Sequence, residues 1–242
     1  SLSEAYANAA SLAPTAIVVG DTVLGTYVDR RGLDWGGTRQ AWIRGVMGKA
    51  SFDYGNGTVD TTIAGTQLGL DLASLGDPST RIGVTAGYAN ASSDITAPSG
   101  YATGSSALNA PSIGGYITHA SGAFYADLLG QYRMLNFDVT SPMSEKEVKG
   151  GSIDVAAEAG FHVPVGGTVL ITPMAQMTYQ HVRLDSATLD GLNVAWSDTD
   201  ALIGRLRLMA QAGTPAFMVY GAAGVSTDLL GDKGAERGGL GY

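Results

Sequence analysis

The chain has 242 residues, 35 of them glycine, no cysteine and a formal net charge of −8. The lack of thiols excludes a disulfide framework, a thiol nucleophile and a thiolate metal site, and the negative charge argues against nonspecific nucleic-acid binding. No run of about 18 apolar residues is present, so no transmembrane helix is expected. The stretch opening at Ser1 has no signal-peptide character, as in a piece cut from a longer protein.

The first forty residues differ from the rest. Leu2, Tyr6, Ala9, Ala10 and Ala13 keep helical spacing, Pro14 interrupts it, and Ile17, Asp21, Leu24 and Val28 resume it before Arg30, Arg31 and Gly32. Two cations and a glycine suit a helix C-terminus, because the cations complement the carbonyl end of the dipole and glycine accepts φ > 0. The spacing therefore predicts a helix from Thr15 to Arg30, about 24 Å long. Its small residues, Ala16, Gly20, Thr22, Gly25 and Thr26, would let it enter a narrow channel. A helix packed outside a soluble domain, or one capping a barrel, is the alternative.

Beyond residue 40 the period becomes two. Ala64, Leu68, Leu70 and Leu72 oppose Gly65, Gln67, Gly69 and Asp71, and then Ile82, Val84, Ala86 and Tyr88 oppose Arg81, Gly83, Thr85 and Gly87. Phe124, Ala126, Leu128, Tyr132 and Met134 alternate with Asp127, Gln131 and Arg133, a polar face broken by Leu129. Val155, Ala157, Ala159, Phe161 and Val163 oppose Asp154, Glu158, Gly160 and His162. Val169, Ile171, Ala175, Met177 and Tyr179 oppose Thr172, Gln176, Thr178 and Gln180, and Leu202, Leu206 and Leu208 oppose Arg205 and Arg207. Segments 40–49, 108–118 and 216–225 are blurred by small residues.

The connectors alternate too. Leu75 to Ser79, His119 to Gly122, Pro164 to Gly167 and Gln211 to Pro215 are short, whereas Tyr54 to Asp60, Ser92 to Ser105, Asp138 to Gly150 and Leu184 to Thr199 are long and polar. Outer-membrane barrels have short periplasmic turns and longer outer loops, and spans of about 9 to 11 residues suit a tilted crossing. A soluble β-sandwich also alternates, but in the clean segments every charge shares the polar phase. A charge facing lipid near the midplane costs about 2 to 4 kcal/mol for Lys or Arg, whereas a lumen tolerates one that is paired or wet. The pattern predicts an all-β, antiparallel up-and-down transmembrane β-barrel, preceded by an N-terminal α-helix.

A helix followed by Trp42-Ile43-Arg44-Gly45, Gln67-Leu68-Gly69-Leu70-Asp71 and Ile82-Gly83-Val84-Thr85-Ala86-Gly87-Tyr88 resembles the C-terminal translocator domain of the monomeric autotransporters of type V secretion. Gly114-Gly115-Tyr116, Phe124-Tyr125-Ala126-Asp127, Pro173-Met174-Ala175-Gln176-Met177-Thr178-Tyr179, Arg205-Leu206-Arg207 and Val219-Tyr220-Gly221 continue the likeness in order. The resemblance implies a twelve-stranded barrel in the bacterial outer membrane that enables export and anchoring of an N-terminal passenger. Its implied partners are outer-membrane lipid, the barrel-assembly machinery, periplasmic chaperones and the passenger itself, with a monomeric state and no cofactor. Residues 1–39 then read as pore helix and linker from the passenger, and 40–242 as a barrel incomplete at its C-terminus, with about ten strands represented and Arg237 to Tyr242 starting the tenth.

Candidate site residues follow from phase. Asp71, Arg81, Asp127, Gln131, Arg133, Glu158, Arg205 and Arg207 form the expected lumen network, and Gly20, Asp21, Leu24, Arg30 and Arg31 the matching positions on the pore helix. Some autotransporters release their passenger by cyclisation of an asparagine beside lumenal carboxylates, which singles out Asn8 with Asp127 and Glu158. The plainer reading pairs those acids with Arg133, Arg205 or Arg207. His119, His162 and His181 lack metal-ligand spacing, and Trp35, Trp42 and Trp196 fall where aromatics suit a bilayer interface. An outer-membrane enzyme of omptin or deacylase type and a passive porin-like barrel are the competing functions.

Overall fold

The computed structural model describes residues 2–27, 41–54, 57–74, 79–96, 102–141, 144–166, 169–214, 217–230 and 237–241. It opens with helix α1 (Leu2–Leu24), followed by β1 (Ala41–Tyr54), β2 (Gly57–Ser74), β3 (Thr80–Thr96), β4 (Ala102–Ser121), β5 (Phe124–Thr140) and β6 (Glu145–Phe161). Then come β7 (Val163–Pro164), β8 (Val169–Leu184), β9 (Ala187–Leu189), β10 (Leu192–Val194), β11 (Thr199–Thr214), β12 (Phe217–Asp228) and β13 (Arg237–Gly241). Sequential antiparallel pairing gives one sheet in the order β1-β2-β3-β4-β5-β6-β8-β11-β12-β13, with the short β7 on β8 and the β9–β10 hairpin apart. Among the described residues β1 and β13 are its two edges. The sheet curls around α1, which touches strands from β1 to β11.

The helix differs from expectation at both ends. It runs unbroken through Pro14, although an interior proline costs about 3 kcal/mol in a free helix. Close burial of Leu12, Ala13 and Ala16 on either side offsets that loss. It stops at Leu24 rather than Arg30, because Gly25, with φ +58°, takes the left-handed position that ends a helix. Arg30 and Arg31 lie outside the described residues. The window Ala7–Leu24 is by length and composition apolar enough to cross a membrane, contrary to expectation, but two thirds of it is buried inside the sheet.

Strand lengths also differ. Three of the four connectors expected to be long are mostly strand: Tyr54 pairs with Gly57, β3 reaches Thr96 before β4 begins at Ala102, and only residues 141–144 separate β5 from β6. β2 to β6 have 17 to 20 residues each, roughly 40 Å of height at 3.3 Å per residue and 45° tilt, against an apolar band about 25 Å tall in outer-membrane barrels.

The surplus has its own chemistry. On β5, Leu128, Tyr132 and Met134 point outward and exposed while Asp127, Gln131 and Arg133 are buried inward; beyond Met134 the faces exchange character, with Leu135, Phe137 and Val139 inside and Asp138 and Thr140 outside. On β3 the exchange falls after Tyr88, where Ala89, Ala91 and Ile95 turn inward and Asn90, Ser92 and Asp94 outward. On β8, Val182 and Leu184 point in and Arg183 out. So the strands combine an apolar outside with a polar inside over one half, and the reverse over the other. A water-soluble chain rarely exposes a continuous apolar belt while burying Gln and Arg.

Two aromatics mark the changeover on the outside. Tyr88 donates to Asn109 Oδ1 at 2.8 Å and Tyr179 to Asp200 Oδ1 at 2.6 Å, so each ring keeps its apolar body on the belt and its hydroxyl on the polar side. The expected tryptophan positions are corrected. Trp42 points inward over Gly69 and donates to the Tyr116 hydroxyl at 3.2 Å, and Trp196 packs on the interior core; Trp35 is outside the described residues.

Candidate functional site: the inner wall and its helix

Inward polar side chains hold α1 at several levels. Nearest the loop end, the Trp196 indole donates to the Ala9 carbonyl at 2.8 Å, and the Asn8 side chain lies against Gly104. Around them Leu12, Ala13, Ala16 and Val19 of α1 pack with Ile63, Ala89, Leu108, Leu135, Phe137 and Val182. The apolar inner face of the extended strands therefore matches the apolar half of the helix.

At mid-height Arg133 is fully buried. Its Nε and Nη2 donate to the two oxygens of Asp154 at 3.0 and 3.1 Å, and its Nη1 to the Ala16 carbonyl at 2.8 Å. Asp154 also accepts from Ser152 Oγ at 2.5 Å and Gln131 Nε2 at 3.0 Å. Gln180 accepts from Arg133 at 3.2 Å and donates to the Ile17 carbonyl at 3.1 Å. Each of the three nitrogens of the planar fork thus meets an oxygen, which helps a buried guanidinium to be tolerated.

The helix end is gripped next. Arg205 bonds Asp21 Oδ2 at 2.5 Å and Gln176 Oε1 at 2.6 Å, and Arg44 donates to the Val23 carbonyl and to Gln67. Gln176 donates to the Gly25 carbonyl at 2.7 Å, while the Tyr27 amide donates to Glu158 at 3.2 and 3.3 Å. Arg44 and Gln176 thus serve carbonyls that a helix terminus leaves without intrahelical partners. Leu24 packs on Leu129 and Tyr116, which accounts for Leu129 as the apolar break among Asp127, Gln131 and Arg133.

Of the expected network, Asp127 and Glu158 stand directly opposite each other on β5 and β6. Asp127 accepts from Thr118 at 2.5 Å, and Glu158 from Tyr125 at 2.6 Å and Gln176 at 3.1 Å. For two of the three arginines expected to pair with these acids the structure shows other acidic partners: Arg133 takes Asp154 and Arg205 takes Asp21. Strand stagger and the position of the helix, rather than sequence phase, choose these partners. Asp71 accepts from Tyr116 at 2.7 Å and Arg81 at 3.4 Å, and Arg207 follows Arg205 on the same face. Asn8 is not brought together with Asp127 and Glu158, because the helix from Asn8 to Leu24 spans about 24 Å and Glu158 holds Tyr27 beyond its far end. The three histidines meet separate neighbours, His119 with Thr80, His162 with Thr172 and His181 with Asp200.

Reasoning from phase missed Arg44, Asp154, Gln176, Gln180 and Trp196 as helix-holding residues. Four of these sit on the polar phase of their strands or in the quoted segments, so the signal was present; Trp196 lies in a connector and had none. The β9–β10 hairpin inside that connector was also missed, although Asp190-Gly191, with φ of 49° and 81°, is the residue pair that a two-residue hairpin turn demands. The Asp190 carboxylate accepts from Ser141 at 2.6 Å and Ser144 at 2.5 Å in the neighbouring β5–β6 loop, and these bonds hold it below the usual carboxylate range.

Comparison with solved structures finds the same fold. The transport unit of the autotransporter AIDA-I from Escherichia coli aligns with a TM-score of 0.77 and 18% identity over 91% of this chain and 78% of that one. The translocator domain of the autotransporter NalP from Neisseria meningitidis aligns at 0.71 and 17% identity, covering 95% and 80%. The β domain of the Bordetella autotransporter BrkA aligns at 0.64 and 18% identity over 78% of each chain. No curated protein sequence matches significantly. The family model of the autotransporter β-domain matches residues 41–241, and the chain therefore belongs to that family, as the translocator domain of an autotransporter.

Proposed function

We propose that this domain sits in the bacterial outer membrane as a scaffold through which an N-terminal passenger is exported, and that α1 is the last exported segment, retained as anchor and plug. Family membership supports the linked passenger and the outer-membrane setting. The observation that carries the plug is the set of inner-wall donors, Arg44, Arg133, Gln176, Gln180 and Trp196, each spent on a carbonyl of the helix segment. Such donors, aimed at backbone rather than at water, give the lumen a fixed occupant. The residues before α1 then lead to the passenger at the loop end, and the barrel-assembly machinery and periplasmic chaperones deliver a monomeric barrel to the membrane. The role is non-catalytic, and no observation favours the omptin-like, deacylase-like or passive-porin readings.

The test is planar-bilayer conductance of the full-length protein with and without residues 2–27. The intact protein is expected to conduct poorly and the deletion to open steady channels. Equal currents from both would remove the plug.

A further inference from the structure

We propose that Gly20 is the register key of α1: its missing side chain opens the Ala16 carbonyl to Arg133, so that the inner wall accepts the helix at a single axial position. This deepens the plug reading and rests on it. In an α-helix the side chain of residue i+4 tilts back over the carbonyl of residue i. Gly20 stands four residues after Ala16, and it is the one glycine in α1. A Cβ built at Gly20 would collide with Gln180 Oε1 and Arg133 Nη2, closer to both than real Cβ atoms come.

Neither neighbour can step aside cheaply. Arg133 and Gln180 are fully buried. Arg133 is clamped by two bonds to Asp154, and Gln180 is tied to both Arg133 and the Ile17 carbonyl. The cradle therefore reads two successive carbonyls, Ala16 and Ile17, beside a position that must carry no side chain. A slide of four residues, about 6 Å, restores the same helix face but brings Ala16 or Leu24 to the place of Gly20. Either puts carbon atoms into the guanidinium. Only one register meets the cradle, and a translocating strand becomes a seated plug when the glycine arrives there.

The experiment uses the full-length protein with spin labels at Ala7→Cys on α1 and Asp94→Cys on the outside of β3, read by interlabel distance, together with conductance. Gly20→Val is expected to broaden or shift the distance distribution and to raise the current several-fold. Moving the glycine by one turn, with Ala16→Gly and Gly20→Ala combined, is expected to give a narrow distribution displaced by about 6 Å. Gly45→Ala, where an added Cβ meets nothing within 4 Å, serves as control and leaves both readings unchanged. An unmoved distance and current in Gly20→Val overturn the key. So does a moved-glycine variant that keeps the parental distance. Removing residues 2–27 without effect on current would instead overturn the plug, so the two failures are distinguishable.

Discussion

Replacing Arg133 by Met tests the interior most directly. Arg133 and Asp154 are both wholly shielded from solvent, and their guanidinium and carboxylate meet at 3.0 Å. Breaking a buried pair by removing one partner costs about 3 to 5 kcal/mol, because the remaining charge is stranded. Asp154 would keep the Ser152 hydroxyl and the Gln131 amide, so the expected loss lies at the lower end, about 3 kcal/mol or two orders of magnitude in the unfolding equilibrium. Urea unfolding in detergent micelles, followed by tryptophan fluorescence and by gel mobility of the folded barrel, measures it. The paired variant Arg133→Met with Asp154→Leu removes both charges and should recover to within about 1 kcal/mol of the parent. Its channel current should still rise, since the bond to the Ala16 carbonyl is gone. A single variant within about 1 kcal/mol of the parent, or a paired variant as unstable as the single one, would refute a buried, water-excluded Arg133–Asp154 pair.

Other tests probe the outer face, the helix end and the loop hairpin. Leu128→Arg, in the middle of the apolar belt of β5, should cost about 2 to 4 kcal/mol in lipid, whereas Asp138→Arg, beyond the changeover, should cost little; equal costs in refolding titrations would erase the belt boundary. Arg205→Leu releases Asp21 and Gln176 and should raise leak current while lowering the melting temperature, and an unchanged current and melting point would argue that this half-buried pair does not hold the helix. The depressed Asp190 carboxyl gives a pH dependence. Its folded value lies below the ordinary 3.8, so its bonds to Ser141 and Ser144 stabilise the hairpin fully above that value and are lost as the pH falls through the folded value. Amide exchange at residues 189–192 should accelerate below about pH 4 once the intrinsic rate is divided out; protection that stays level down to pH 2 would show that the latch is inert.

Much of the wall was legible in the chain because a strand's side chains alternate with a fixed period of two. Once Leu128, Tyr132 and Met134 are assigned outward, Asp127, Gln131 and Arg133 must face inward, and the same holds for Leu68 against Gln67 and Met177 against Gln176. That rule needs only neighbouring residues. It failed where chemistry inverted without a change of phase. Beyond Tyr88 and Met134 the strands continue with polar residues outside, and a polar run in a sequence looks like a loop whether or not it is hydrogen-bonded to a neighbour. The helix end was misplaced for a related reason: Arg30, Arg31 and Gly32 carry the local signature of a C-terminus, but Gly25 precedes them, and the wall around it supplies donors to the helix-end carbonyls through Arg44 and Gln176.

What the sequence by itself determined is the class of surface met by each residue of the cleanly alternating segments, the number and alternating direction of the long strands of the main sheet, and the presence of an N-terminal helix of small residues. The tertiary structure alone decided who partners whom. Arg133 finds Asp154 across 21 positions, Arg205 finds Asp21 across 184, and Tyr27 finds Glu158 across 131. These pairs arise from the stagger of neighbouring strands and the depth at which a rod comes to rest within them. No local periodicity encodes either quantity, because both are set by the closure of many distant contacts at once.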